Sequence, residues 1–471
     1  MGDTVFDLLI RNGQVVNAFA TVQADVAIKG EKIAGIFEPG ILSNARKSVD
    51  ASGLYVIPGG VDPHVHFGME FGGAYTKDDF RSGTIAAAFG GTTTVIDFAF
   101  QTPGASALEA LRGRMEEARG KAITDYSFHC CLTDGSAKTI EEMDEIFRLG
   151  VVSFKLFMVY REVGLWVSDG TLMAAFRKAA SLGALPVVHG ESEELVSWSR
   201  KQLLEEGKCL PRDYPASRPR FAELEAVCRA IFLAKQAGSA LYLVHISSRD
   251  AAGEVGRARG QGFPIYGETC PHYLTLTEAV YEGPTGYNYV MSPPLRSSED
   301  HEGLWNALRK GDLSTIASDE SSWDTVDKAK GQSSFNLAPP GLVGAETRLS
   351  LVFSEGVQKG RISINRFVEL VATNPAKLYG LYPRKGIIAV GSDADIVLID
   401  PEKEISLNYK DVHHNAGYSP YEGWKVKGCP ITTICRGTLV IENRRLVGPV
   451  GYGEFLKRTI SPDFLTGPSV R

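Results

Sequence analysis

The sequence predicts an α/β protein, a (β/α)8 TIM-like barrel with a small β-sandwich domain formed by both chain termini. Three observations carry this. Eight short, apolar, β-rich runs recur through the middle of the chain, and segments of strong helix formers separate most of them. The two ends alternate apolar and polar residues without long helical periodicity.

The eight runs are VDPHVHF (61–67), TTTVIDF (92–98), DYSFHCC (125–131), VVSFKLF (151–157), ALPVVHG (184–190), ALYLVHI (240–246), FPIYGET (263–269) and STIASDE (314–320). Between them, stretches such as SALEALRGRMEEARGK and FAELEAVCRAIFLAKQAG repeat apolar residues at helical spacing. Gly150, Gly183, Gly238 and Gly262 stand just before the following strands, where a helix C-terminus favours glycine. At the ends, Asn12-Gly13 and Lys29-Gly30 read as hairpin turns. The expected organisation is a sandwich of residues 1–57 plus 384–447, a barrel over 58–383, and an extended arm over 448–471 that can lie on another subunit.

Composition narrows the partner. The 471 residues are 44% apolar and 23% charged, the balance of a globular chain with a large core. Net charge is −6 with no long basic run, so nucleic acid and anionic membrane are poor partners and a small molecule is expected. The start, MGDTVFDLLIRNG, lacks the basic-then-apolar pattern of a secretory signal, and the longest uncharged stretch is interrupted by glycines, so a cytoplasmic location is expected. Seven cysteines without a C-x-x-C pair read as reduced thiols.

The chemistry lies at the strand ends. His64 and His66 flank one residue, so in a strand both imidazoles face the same way, as a divalent metal requires. Lys155 sits in an apolar run where an unpaired ammonium is costly. A salt-bridged strand lysine is one solution. Reaction with CO2 is another: between two divalent metals, one Asp and a hydroxide, an ammonium leaves a local charge of about +3 and a carbamate about +1. Electrostatics therefore favours the carbamate only where the metals are present. His189, His245 and Asp319 each close a predicted strand, on the face where barrel active sites form. Alone, each reads as a structural histidine or a helix cap; together they form a set. His129, His272, His301, His413 and His414 have no place in it and read as structural or surface residues.

With these residues in place, the chain resembles the cyclic amidohydrolases of the dihydropyrimidinase and D-hydantoinase family, within the metal-dependent amidohydrolase superfamily. The resemblance rests on PGGVDPHVHFG (58–68), GGTTTVIDF (90–98), FKLFMVY (154–160), VVHGESEE (187–194), LVHISSRDA (243–251), YGETCPHYL (266–274), MSPPLR (291–296), NPAKLYGLYPRKGIIAVGSDADIVLID (374–400) and YSPYEG (418–423), and so spans nearly the whole chain. It implies that His64, His66, His189, His245 and Asp319 hold two divalent metal ions, zinc first and manganese or cobalt as alternatives, bridged by carboxylated Lys155. It also implies that Tyr160 hydrogen-bonds the attacked carbonyl, that Ser292 contacts a ring amide, and that the chain assembles as a homotetramer.

Two departures bear on the substrate. Glu320 follows Asp319 where the family commonly has His, and Pro340 stands where hydantoinases present an Asn main chain to the ring amide. Proline has no N–H to donate. The loop MEFGGAYTKDDF (69–80) reads as a pocket wall or an ordinary barrel loop. The reaction implied is hydrolysis of a cyclic amide, giving an N-carbamoyl amino acid from a hydantoin or dihydropyrimidine. Metal binding would lower the pKa of the attacking water from roughly 15.7 to about 7, and Asp319 would move the proton. An allantoinase or cyclic-imide hydrolase is the nearest alternative, and a non-catalytic scaffold of the same fold is the alternative from another class.

Overall fold

The structure is a computed structural model that describes residues 5–42 and 44–467. In chain order the strands are β1 (Phe6–Val16), β2 (Thr21–Lys29), β3 (Lys32–Phe37), β4 (Ala45–Asp50), β5 (Tyr55–Pro58), β6 (Gly60–Val65), β7 (Glu70–Phe71), β8 (Ala74–Tyr75), β9 (Thr92–Phe100), β10 (Asp125–Cys131), β11 (Ser153–Phe157), β12 (Leu185–His189), β13 (Leu241–Leu243), β14 (Ile265–Thr269), β15 (Thr315–Ile316), β16 (Ile396–Ser406), β17 (Lys425–Cys435), β18 (Thr438–Glu442) and β19 (Arg445–Leu446).

Strands β6 and β9 to β15 pair in parallel and in sequence order. A parallel bridge between Val65 and Glu320 closes the ring. Each of the eight apolar runs supplies one strand. Every residue of β6 and of β10 to β15 is buried, as a parallel sheet enclosed by helices requires. Helices enter on side-chain caps: Ser136, Ser168 and Ser248 each accept the N–H of the third residue beyond them. Gly183 and Gly238 leave their helices at φ 73° and 65°, a left-handed backbone that a Cβ disfavours.

The two chain ends meet in one nine-stranded sheet, in which β16 lies antiparallel to β5 and β1 bonds β2, β4 and β5. Leu8, Ile10, Val26, Ile28, Val56, Ile396, Leu398 and Ile434 share a hydrophobic cluster inside it. Ala394 N–H donates to Glu31 O at 2.8 Å, bringing the β2–β3 turn against the strand that follows the barrel.

One sequence expectation changes. Asn12-Gly13 is not a turn: β1 runs through it, and the extra residue forms a bulge between Ile10 and Gly13 with Asn12 at φ 59°. Asp25 Oδ1 accepts the Asn12 N–H at 2.7 Å, so the left-handed residue is held within the ladder instead of reversing the chain. The tail from 448 is mostly extended, with one helical turn at Asp463–Thr466, and up to Gly467 it runs along its own barrel. Leu456 N–H donates to Tyr126 O at 2.8 Å, Arg458 Nε donates to Ser127 Oγ at 2.8 Å, and Tyr266 OH donates to Phe464 O at 2.8 Å. Residues 1–4, 43 and 468–471 of the expected sandwich and arm lie outside the described residues.

Barrel and terminal sheet are joined by buried charge. Lys385 Nζ lies 2.6 Å from Asp125, 2.7 Å from Asp395 and 3.0 Å from Asp393. Arg436 Nε reaches the other Asp125 oxygen at 3.1 Å. No helix among the described residues is long and apolar enough to cross a membrane.

Candidate active site

The strands deliver six side chains to one end of the barrel. His64 and His66 come from the end of β6, Lys155 from within β11, His189 from the last position of β12, His245 from just beyond β13 and Asp319 from just beyond β15. The one-residue spacing puts both first imidazoles on one carboxylate: His64 Nε2 lies 3.1 Å and His66 Nε2 3.4 Å from Asp319 Oδ1. Across the same space His245 Nε2 is 2.9 Å from His189 Nδ1. Tyr160, His245 and Asp319 have φ of 76°, 40° and 52°, left-handed values that non-glycine residues avoid unless their surroundings impose them.

Two buried carboxylates aim the imidazoles. Glu268 accepts from His64 Nδ1 at 2.8 Å, from the His245 backbone N–H at 3.2 Å and from Tyr242 OH at 2.8 Å. Glu191 lies 2.7 Å from His189 Nε2 and is paired with the buried Arg218. Nε2 of His64 and Nδ1 of His189 are thereby turned to the centre. The motif stretches contain both glutamates, but nothing in a linear sequence separates a carboxylate that orients a histidine from one that caps or bridges elsewhere.

Burial pulls the His66 pKa down to about 4, and those of His189 and His245 down as well, leaving neutral rings with lone pairs. Burial raises the Asp319 pKa, but His64 and the neighbouring imidazoles outweigh it and hold the carboxyl well below its usual range. Burial also draws Lys155 down to about 8. The Lys155 ammonium makes no hydrogen bond or ion pair among the described residues; it faces the rings of Phe98 and Phe157, 5.2 and 5.1 Å from their centroids. Imidazole nitrogens and a carboxylate converging on one point suit a divalent cation, and the ligand atoms of His64, His66 and Asp319 all lie within 4.8 Å of one another.

These six residues line a cavity together with Tyr160, Ser292 and Pro340, so all nine candidate residues surround one space of about 50 Å³. It opens, past Phe71, Tyr160, Ser292 and Pro340, into an outer chamber of about 450 Å³ whose walls include Val163, Val196, Phe335 and Leu337. The 69–80 loop forms part of the wall: β7 and β8 make a two-residue-per-strand hairpin, and Phe71 packs edge-on against Tyr160 at 5.1 Å. Burial pushes the Tyr160 pKa far up, so the phenol keeps its proton. Ser292 Oγ is 2.9 Å from Tyr214 OH.

The two departures are accommodated differently. Glu320 is outside the cavity lining; its Oε2 accepts the N–H groups of Gly344 and Ala345 at 2.6 and 2.7 Å and ties the end of the eighth strand to the loop after it. Pro340 faces the cavity with its carbonyl occupied by Trp323 Nε1 at 2.8 Å. Of the other histidines, His129 is buried with both ring nitrogens bonded, to Ser153 Oγ and Pro63 O, and none of His272, His301, His413 and His414 lines the cavity.

The profile of the amidohydrolase family matches residues 55–440. The D-hydantoinase of Geobacillus stearothermophilus is 44% identical over 96% of this chain and 96% of its own. The solved D-hydantoinase of Bacillus sp. AR9 superposes with a TM-score of 0.94 at 43% identity, covering 97% of this chain and 100% of that one. The solved L-hydantoinase (dihydropyrimidinase) of Arthrobacter aurescens gives a TM-score of 0.90 at 33% identity, covering 96% and 100%. With its barrel and convergent histidines, this chain belongs to the amidohydrolase family, in the branch of the hydantoinases and dihydropyrimidinases.

Proposed function

We propose that this protein is a metal-dependent cyclic amidohydrolase that opens the C–N bond of a hydantoin or dihydropyrimidine ring, releasing an N-carbamoyl amino acid. The observation that carries the reading is the convergence of four imidazoles, one carboxylate and a buried lysine, unpartnered among the described residues, on one cavity. His64, His66, His189, His245, Asp319 and carboxylated Lys155 would hold two divalent ions, zinc first, with manganese or cobalt as alternatives. The residues fit that group, since burial keeps the rings of His66, His189 and His245 neutral and the Lys155 amine has no hydrogen-bonded anionic partner among the described residues. Bound ions supply a Lewis acid and a water of lowered pKa.

The chain's own residues do the rest. Tyr160, kept protonated by burial, donates its hydroxyl hydrogen to the carbonyl oxygen as negative charge develops there. Asp319, at the centre of the histidine cluster, accepts the proton of the attacking water and returns it to the departing ring nitrogen. Ser292 contacts the ring amide, and the walls of the outer chamber receive the ring substituent. Both D- and L-hydantoinases share this fold, so enantiomer preference rests with those walls and not with the barrel. Assembly as a homotetramer in the cytoplasm is part of the proposal.

Ring opening by metal-replete enzyme across hydantoin, dihydrouracil, allantoin, phthalimide and succinimide tests the reading. Turnover of hydantoin or dihydrouracil above the others supports it. A preference for allantoin or the imides would move the protein to the neighbouring activities, and no turnover of any ring would leave a non-catalytic scaffold.

A further inference from the structure

The hydrogen-bonding groups around the inner cavity can be counted by what each has left to give. Tyr214 OH lies 3.0 Å from Met291 O and 2.9 Å from Ser292 Oγ. A phenol has one proton, and the carbonyl can only accept, so Tyr214 donates to Met291 and Ser292 donates to Tyr214. Ser292 therefore meets a substrate with lone pairs only, which suits a ring N–H.

The opposite need is a donor. A hydantoin or dihydropyrimidine ring has a second carbonyl beside the one attacked, and burying it unpaired weakens binding. The backbone at 340–341 has nothing to donate: Pro340 has no N–H, and Gly341 N–H is bonded to Val290 O at 3.1 Å. Next to it stands Ser321. It lines the inner cavity, and a Cβ on Gly341 would lie 2.8 Å from Ser321 Oγ. Its backbone N–H is bonded to Leu342 O at 2.8 Å, while its hydroxyl makes no hydrogen bond among the described residues. With the residue 3% exposed, that hydroxyl can find a partner only in the cavity.

We propose that Ser321 is a specificity-determining residue whose hydroxyl donates to the second, unattacked ring carbonyl, while Ser292 accepts from the ring N–H. The assignment rests on the cyclic-amide reading above and adds the group that selects rings with two carbonyls flanking one nitrogen.

The test compares hydantoin with 2-thiohydantoin, in which the second carbonyl becomes a poorly accepting thiocarbonyl, on wild type, Ser321→Ala and Ser321→Cys of equal metal content. Ser321→Ala should raise KM for hydantoin about tenfold with kcat within about threefold, and change KM for 2-thiohydantoin by less than about threefold. Ser321→Cys keeps the shape but donates weakly, so its hydantoin KM should rise too. An unchanged hydantoin KM in Ser321→Ala, or an equal loss on both rings, overturns the assignment. Wild-type enzyme inactive on every ring would instead refute the cyclic-amide reading itself.

Discussion

Tyr160 shows how one residue combines placement and protonation. Its left-handed backbone turns the chain at the fifth residue beyond Lys155, its ring is braced by Phe71 at 5.1 Å, and burial keeps the hydroxyl protonated. A donor fixed in advance where charge develops is worth about 10²- to 10³-fold in rate. Tyr160→Phe should therefore lower kcat by about that much with metal content unchanged; an unaltered kcat would remove Tyr160 from the reaction. Its position five residues past Lys155 is visible in the sequence, as are the four histidines and Asp319, because strand alternation and strand ends are one-dimensional patterns. Glu268 is different: it acquires its role from a neighbour far along the chain, meeting His64 across 204 residues of sequence, while Glu191 meets His189 only two residues away yet shows its role only once the folded chain brings Arg218 to its other side.

At the scale of elements, the loop after the eighth strand is where this chain builds its own pocket wall. Glu320 binds the Gly344 and Ala345 amides, Trp323 binds the Pro340 carbonyl, and Lys328 Nζ donates to Val290 O at 2.6 Å and Pro339 O at 3.0 Å, joining the loop to the segment that carries Ser292. Gly341, at φ 130°, is required here: a Cβ would come within 2.5 Å of Ser321 Cβ and 3.0 Å of Trp323 Nε1. Gly341→Ala should cost about 1–3 kcal/mol from overpacking, with backbone strain in addition, and should raise KM by displacing Ser321. Wild-type thermal stability and KM in that variant would show that the wall yields freely. The elements themselves were legible to different degrees. The eight barrel strands announce themselves as apolar runs, whereas β4, ARKSVD, is largely exposed and polar and carries no such signal. Asn12-Gly13 has the composition of a turn, yet Asp25 and pairing with β2 hold it in a bulge, so tertiary contacts overrode local preference.

At the scale of the molecule, the barrel is anchored to the terminal sheet by Lys385 among Asp125, Asp393 and Asp395. Burial alone would lower the Lys385 pKa, but the carboxylates outweigh it and raise it above its ordinary 10.5. A cation whose folded-state pKa is raised contributes stability that is complete below the ordinary value and lost as pH rises through the folded one, so this contribution is intact at neutral pH and fails only in strong alkali. Lys385→Met leaves Asp395 buried without a side-chain cation among the described residues, while Asp125 keeps Arg436 and Asp393 keeps Lys32 and Arg384, and should cost about 3–5 kcal/mol at pH 7, part of it recovered in acid as Asp395 protonates. A loss under about 1 kcal/mol in chemical denaturation would mean that the joint is held by apolar packing instead. None of this ion cluster was legible in advance, since its members come from residues 125, 385, 393, 395 and 436, which only the folded chain assembles.

Cations held at the mouth of the barrel are what the proposed chemistry requires first. Crystals grown with zinc and bicarbonate, measured at the zinc absorption edge, test it most directly. Two anomalous peaks among His64, His66, His189, His245 and Asp319, with carbamate density extending from Lys155, are the predicted result; a bare Lys155 amine beside a site without anomalous signal would contradict it.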